Sequence, residues 1–218
     1  MHHPKRAAML PTLIYALGGG IPVTVIADVE SRGPWPTARQ AWLAWRRGAT
    51  HHLVLQDDAM PVPDLIRGLA GAIATRPHSV IGLWTPRKEQ RTAFERGDRW
   101  MLSEGGTWGP GTIMPTERIG EWLEWDGEHV DPECPHDDTR IALWLLTLGE
   151  PAWLTVPSLV EHVSLRSLLG HRGANPAAAF TGRPATSIDW TPVPDHPVRI
   201  AQSLRSYWGA KYLIGGTP

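Results

Sequence analysis

The chain has a single cysteine, Cys134, among its 218 residues. That excludes an intramolecular disulfide and any multi-cysteine zinc site, and it suits a reducing compartment. Also missing is an apolar run long enough to cross a bilayer. The start, MHHPKRAAMLPTLIYAL, is basic and then briefly apolar, but Pro11 and Thr12 interrupt the run, so it reads as structure rather than a signal peptide. Net charge is nearly absent, at −1. Lys and Arg are lacking altogether from residues 121–138, which hold eight acids: Glu121, Glu124, Asp126, Glu128, Asp131, Glu133, Asp137 and Asp138. The rest of the chain carries 14 acids against 21 bases, so an acidic segment sits on a mildly basic body that tolerates polyanions. The Gly18-Gly19-Gly20 run lacks the GxGxxG spacing and the following helix of a dinucleotide or P-loop fingerprint. There is no internal repeat and no break strong enough to mark a second domain.

What is present is the composition of an ordinary globular protein, 42% hydrophobic and 20% charged, long enough for one domain with a full core. The 12 tryptophans are unusual and are expected in the core or as pocket walls. Residues 21–28 are rich in β-branched residues and read as a buried first strand. The polar loop after it, with Asp28, Glu30 and Arg32, leads to a helix over 38–47. It can host a nucleotide, with Asp28 accepting from base or ribose and Arg32 pairing with phosphate, or it is a plain connection. A strand over 52–56, a helix over 64–75 and a strand over 79–84 complete the alternation that predicts a parallel α/β sheet. Further on, residues 115–125 and 141–148 read as helices and 152–156 as a strand. A Pro/Ala/Thr/Gly-rich stretch over 172–197 precedes a terminal amphipathic helix over 198–208 that packs back on the domain.

The most informative stretch is HHLVLQDDAMPVP, where a short apolar strand ends in Gln56-Asp57-Asp58. Adjacent carboxylates at the edge of a buried strand repel and are costly to desolvate, and a hard divalent cation relieves both effects. In open α/β sheets this edge is where ligands bind. Two solvated aspartates, one capping the next helix, are the plain alternative. Residues 105–111 are glycine-dense around Trp108. Glycine at Gly109 lets the backbone approach a ligand closely, and Trp108 offers a stacking face; a tight turn is the alternative. His136-Asp137-Asp138 runs into an apolar helix. Aspartates there are natural caps, yet one left ionised at the helix start can serve as a general base. His162, after a strand, and His171 are candidate ligands. Residues 86–99 carry five bases and three acids and end at Trp100, a segment able to contact DNA or simply a solvated face.

The order and spacing of VTVIAD with WPTARQAW, HHLVLQDD, GGTWGPG, HDDTRIALWL and LTVPSLVEH resemble the GT-A glycosyltransferases, in particular small bacteriophage-encoded ones. The resemblance runs from about Leu13 to His171. It implies a single Rossmann-like α/β domain over 1–171 with a mostly parallel central sheet flanked by helices, and a C-terminal extension over 172–218. It implies Mn²⁺ or Mg²⁺ on a nucleotide-sugar donor such as a UDP-sugar, with Asp58 and His162 as metal ligands and His171 as the alternative to His162. The motif has Gln in the first position of the family's D-x-D, so Asp57 and Gln56 fall to the donor. Asp28, Glu30, Arg32, Trp108 and Gly109 complete the donor site. Asp138 is the catalytic base by its spacing to the apolar helix, with Asp137 as the other candidate. The activity implied is an inverting transfer to an acceptor hydroxyl, favouring a hydroxymethylated pyrimidine in phage DNA over a virion protein or a glycan. It would take place in the cytoplasm of an infected bacterial host. A nucleotidyltransferase and a non-catalytic nucleotide-sugar-binding module are the competing classes.

Overall fold

The computed structural model describes residues 1–17, 21–163 and 176–215. The Gly18–Gly20 run and His171 lie outside them. A 3₁₀ turn, Pro4–Met9, leads into helix α1 (Leu10–Ala16), and α2 (Pro34–Leu43) follows a long irregular segment. Then come β1 (His51–Leu55), β2 (Ala59–Pro61), α3 (Leu65–Thr75), β3 (Ile81–Gly82), α4 (Lys88–Glu95), β4 (Trp100–Ser103) and β5 (Gly111–Pro115). The chain continues with α5 (Thr116–His129), α6 (Asp137–Leu148), β6 (Ala152–Thr155), β7 (Val160–His162) and β8 (Arg199–Ile200).

Side-chain alternation along the strands builds three layers. Leu55, Ile81 and Ile113 face a core shared with α3. Their neighbours Val54, Val80 and Met114 face the opposite core, shared with Trp42 of α2, Trp122 of α5 and Trp144 of α6. Helices therefore cover both faces of one central sheet, as an α/β protein requires. The aromatic side chains are concentrated there: Trp42, Trp100, Trp122 and Trp144 are among the largest fully buried residues.

The strand order is β1-β5-β3-β6-β4-β8, and the expected mostly parallel sheet is corrected to a mixed one. β1–β5, β5–β3 and β6–β4 pair antiparallel, whereas β3–β6 and β4–β8 are parallel. Because β1 and β3 both run opposite to β5, they run the same way as each other and as β6. The alternating strand–helix reading thus holds for direction but not for adjacency, since β5 inserts between β1 and β3. β4 and β5 are short and buried at every position, so no period-2 pattern marks them in the sequence.

The expected first strand does not form. Residues 21–26 are irregular, with Ile21, Val23 and Val25 exposed, and a cavity of about 720 Å³ lies between this segment and β1. Pro22 cannot donate to a ladder. Near its end, the segment's polar groups pair with His2 instead: His2 N–H donates to Ile26 O at 2.8 Å and Asp28 N–H to His2 O at 3.0 Å. The predicted terminal helix is likewise replaced, by β8, turns and a 3₁₀ segment, Trp208–Tyr212. Residues 176–215 are bound into the domain: Ala185 packs on Gly68, Trp190 on Trp100, and β8 on β4.

Candidate functional site

The shared direction of β1, β3 and β6 brings three chain crossings to one edge of the sheet. β1 delivers Gln56, Asp57 and Asp58, β3 is followed by Trp84, and the loop from β4 to β5 arrives opposite Leu55 through the pair Leu55–Gly111. That loop is held by two close approaches. Gly106, at φ +79°, lies where a Cβ would be 2.7 Å from the Ala142 Cα of α6. At Gly109 a Cβ would stand 2.2 Å from the Gln56 amide. Gly106 is there for contact with the α6 backbone and Gly109 for the Gln56 side chain, and Trp108 between them is left facing the pocket.

The resulting pocket has a volume of about 580 Å³. Asp28, Gln56, Asp57, Asp58, Trp108, Gly109, Asp138 and His162 all line it. Eight of the residues singled out from the sequence therefore converge. Glu30 and Arg32 do not. They lie on an exposed loop and pair with each other at 2.6 Å. Asp28 uses its carboxylate to accept from the Arg32 and Gly33 amides, at 2.8 and 3.1 Å, which starts α2.

His162 reaches Asp58 through the antiparallel pair β2–β7, whose register sets Ala59 opposite His162. Its Nε2 lies 3.1 Å from Asp58 Oδ2. Burial pushes the Asp58 carboxyl up, but the hydrogen bond with His162 and the Arg6 charge outweigh it, and the group is held below the ordinary value. Arg6 bridges the pair, with Nη1 2.9 Å from Asp57 Oδ1 and also in contact with Asp58 Oδ2. Four buried polar atoms at this end of the pocket have no hydrogen-bond partner: Arg6 Nε, Asp58 Oδ1, His162 Nδ1 and Trp84 Nε1.

Across the pocket, α6 separates its two acids. Asp137 turns into the core, where Trp42 Nε1 donates to its Oδ2 at 2.9 Å. Asp138 faces the pocket and accepts from the Gly109 and Thr139 amides at 3.2 and 2.7 Å. Burial, and then the neighbouring Asp137 charge, push the Asp138 carboxyl up to about 7. The approach of α6 is fixed by Arg140. Its Nη1 donates to both oxygens of Asp126 at 2.9 Å, and its remaining N–H groups reach the carbonyls of Asp131, Pro132 and Cys134. A buried guanidinium with every donor used is a rigid clamp for the turn before Asp138.

Sequence reasoning missed several lining residues, among them Trp84 and four from the two ends of the chain. His2, His3 and Arg6 come from the start of the chain, and Trp208, 58% exposed, comes from the segment expected to be helical. Trp100 is corrected in the opposite sense. It is fully buried against Trp153 and Trp190 and offers no face to a base. None of residues 86–99 lines the pocket; Arg91 and Arg96 donate to the carbonyls of Ala178 and His196.

Among the described residues no three of His, Cys, Asp and Glu are grouped to hold a metal ion, and no helix is long and apolar enough to cross a membrane. Asp58 and His162 nevertheless offer two donor groups side by side, with an unpartnered carboxylate oxygen. That suits a hard cation whose remaining ligands are phosphate oxygens and water. The sequence matches none of the protein-family models and, at a significant level, no curated protein.

Proposed function

We propose that the protein is a metal-dependent glycosyltransferase of GT-A type that moves a sugar from a nucleotide-sugar, favouring a UDP-sugar, to an acceptor hydroxyl. One observation carries the reading. A carboxyl with its pKa raised to about 7, Asp138, opens into the same pocket as the acidic pair and His162. A base tuned near neutrality facing an anion-handling site is what displacement of a nucleoside diphosphate by a hydroxyl requires.

In this reading Asp58 and His162 would hold Mn²⁺ or Mg²⁺, which would supply positive charge near the leaving diphosphate. Asp28 and Gln56 face the nucleotide, Asp57 the donor ribose or sugar, and Gly109 and Trp108 close around the sugar. Asp138 takes the proton of the acceptor hydroxyl as its oxygen bonds to the anomeric carbon. The bond from that carbon to the diphosphate oxygen breaks with its electron pair leaving on the diphosphate. One base and no covalent intermediate give inversion. Trp208, exposed at the rim, provides a stacking wall for the acceptor, with a hydroxymethylated pyrimidine in DNA favoured over a virion protein or a glycan.

A second reading, a non-catalytic nucleotide-sugar-binding module, draws on the backbone amides that Asp138 caps. One experiment separates them. The protein is incubated with a panel of UDP-sugars and Mn²⁺, and UDP release is measured with and without hydroxymethylated DNA. Release from at least one donor, stimulated by the DNA and abolished by EDTA, is expected. Donor binding without release selects the module, and neither binding nor release defeats both.

A further inference from the structure

Residues 2–6 reach into the pocket and make four contacts with the acidic pair. His3 N–H donates to Asp57 Oδ2 at 2.7 Å, and His2 Nδ1 lies 3.2 Å from the same oxygen. Arg6 Nη1 holds Asp57 Oδ1 and Asp58 Oδ2 together. The arginine is itself largely enclosed, with 14% of its side chain exposed against 6% and 7% for the two aspartates. Its Nε is buried without a partner. This is a half-satisfied arrangement. One guanidinium balances one of two carboxylate charges, and both Arg6 Nε and Asp58 Oδ1 go unused. A divalent cation at Asp58 would face the Arg6 charge across the same carboxylate, and in an enclosed site their mutual repulsion opposes joint occupancy.

We propose that Arg6 is the resident counter-cation of the Asp57–Asp58 pair, and that a divalent metal binding at Asp58 and His162 displaces it. The proposal rests on the metal reading above and goes beyond it. It assigns the first residues of the chain a role in setting metal affinity: the carboxylates stay neutralised when metal is absent, and the metal must compete with a tethered charge. Metal binding is then weaker than the ligand set alone would give, by the stability of the Arg6 bridge.

The test is direct Mn²⁺ titration, with free Mn²⁺ followed by electron paramagnetic resonance, for the wild type, Arg6→Ala and Arg6→Lys. Thermal unfolding is recorded with and without Mn²⁺. Arg6→Ala is expected to bind Mn²⁺ about tenfold more tightly, which corresponds to ~1.4 kcal/mol. It should also melt lower without metal and gain more from Mn²⁺ than the wild type does. Arg6→Lys, which keeps the charge but cannot fork across two carboxylates, should fall between them. If Arg6→Ala does not fold, Arg6→Lys decides by the same comparison with the wild type. Equal or weaker Mn²⁺ binding by the variant overturns the counter-cation while leaving the metal reading in place. No Mn²⁺ binding by any of the proteins overturns both.

Discussion

Asp137 and Asp138 are adjacent in sequence and opposite in situation. Asp137 has an indole donor and a buried setting, while Asp138 has two amides and a face on the pocket. Two carboxylates this close cannot both ionise cheaply, so the neighbour's charge adds to burial in raising Asp138. The consequence for activity is that the base form accumulates as pH rises through about 7, and transfer should rise with it. For stability the sign is the reverse. The folded state binds the proton more tightly than the unfolded chain does. The contribution of Asp138 to stability is therefore fully present below the unfolded value of 3.8 and is lost as pH rises through about 7. Asp138→Asn should abolish UDP release in the presence of acceptor while donor binding, measured by calorimetry, persists. The same variant should be more stable than the wild type at pH 8, by about 1–3 kcal/mol, and lose that advantage near pH 4. Full turnover by the variant would remove Asp138 as base.

At the scale of elements, the pocket depends on pieces that were legible to different degrees. β1 and its acidic end could be read directly, because an apolar run stops abruptly at charges. The helical start of α6 was equally clear from its aspartates and apolar continuation. β4 and β5 were not legible, since strands buried on both faces and bordered by glycine carry no alternation. Residues 21–27 failed in the other direction. Val23, Val25 and Ile26 have strand propensity, but propensity does not supply hydrogen-bond partners, and His2 took the available ones. The role of His162 was suggested by its place after a strand, whereas its contact with Asp58 depends on a pairing across 104 residues that no local pattern encodes. Another long-range dependence sits at α3, where Gly68 admits Ala185. A Cβ there would stand 2.2 Å from the Ala185 Cβ and 2.6 Å from its backbone carbon. Gly68→Ala should lower stability by about 1–3 kcal/mol. It should also speed proteolysis within residues 176–197, as limited chymotrypsin digestion, cutting after Phe180 or Trp190, would reveal. An unchanged melting temperature and digestion pattern would contradict that docking.

For the whole molecule, charge and aromatic side chains are divided by place. The tryptophans mostly fill the two cores, as expected from their number, but Trp208 stands at the pocket rim with Lys211 Nζ 5.8 Å from its ring centre. The basic segment over 86–99 spends much of its charge on the chain's own carbonyls and acids. Acceptor recognition is therefore expected from the rim around Trp208 rather than from α4. Trp208→Ala should raise the acceptor KM on hydroxymethylated single-stranded DNA about 5- to 150-fold, since stacking contributes ~1–3 kcal/mol per base. The donor KM should be unchanged. An equal effect on both substrates would place Trp208 elsewhere in the reaction.

The antiparallel register that sets Ala59 opposite His162 also bears on how the protein is made. During synthesis the Asp57–Asp58 pair is made about a hundred residues before His162, with which Asp58 pairs across a separation of 104 residues. Contacts of such sequence separation form late, because loop closure must precede them. The Asp58–His162 contact is therefore expected to form only once β7 has closed on β2.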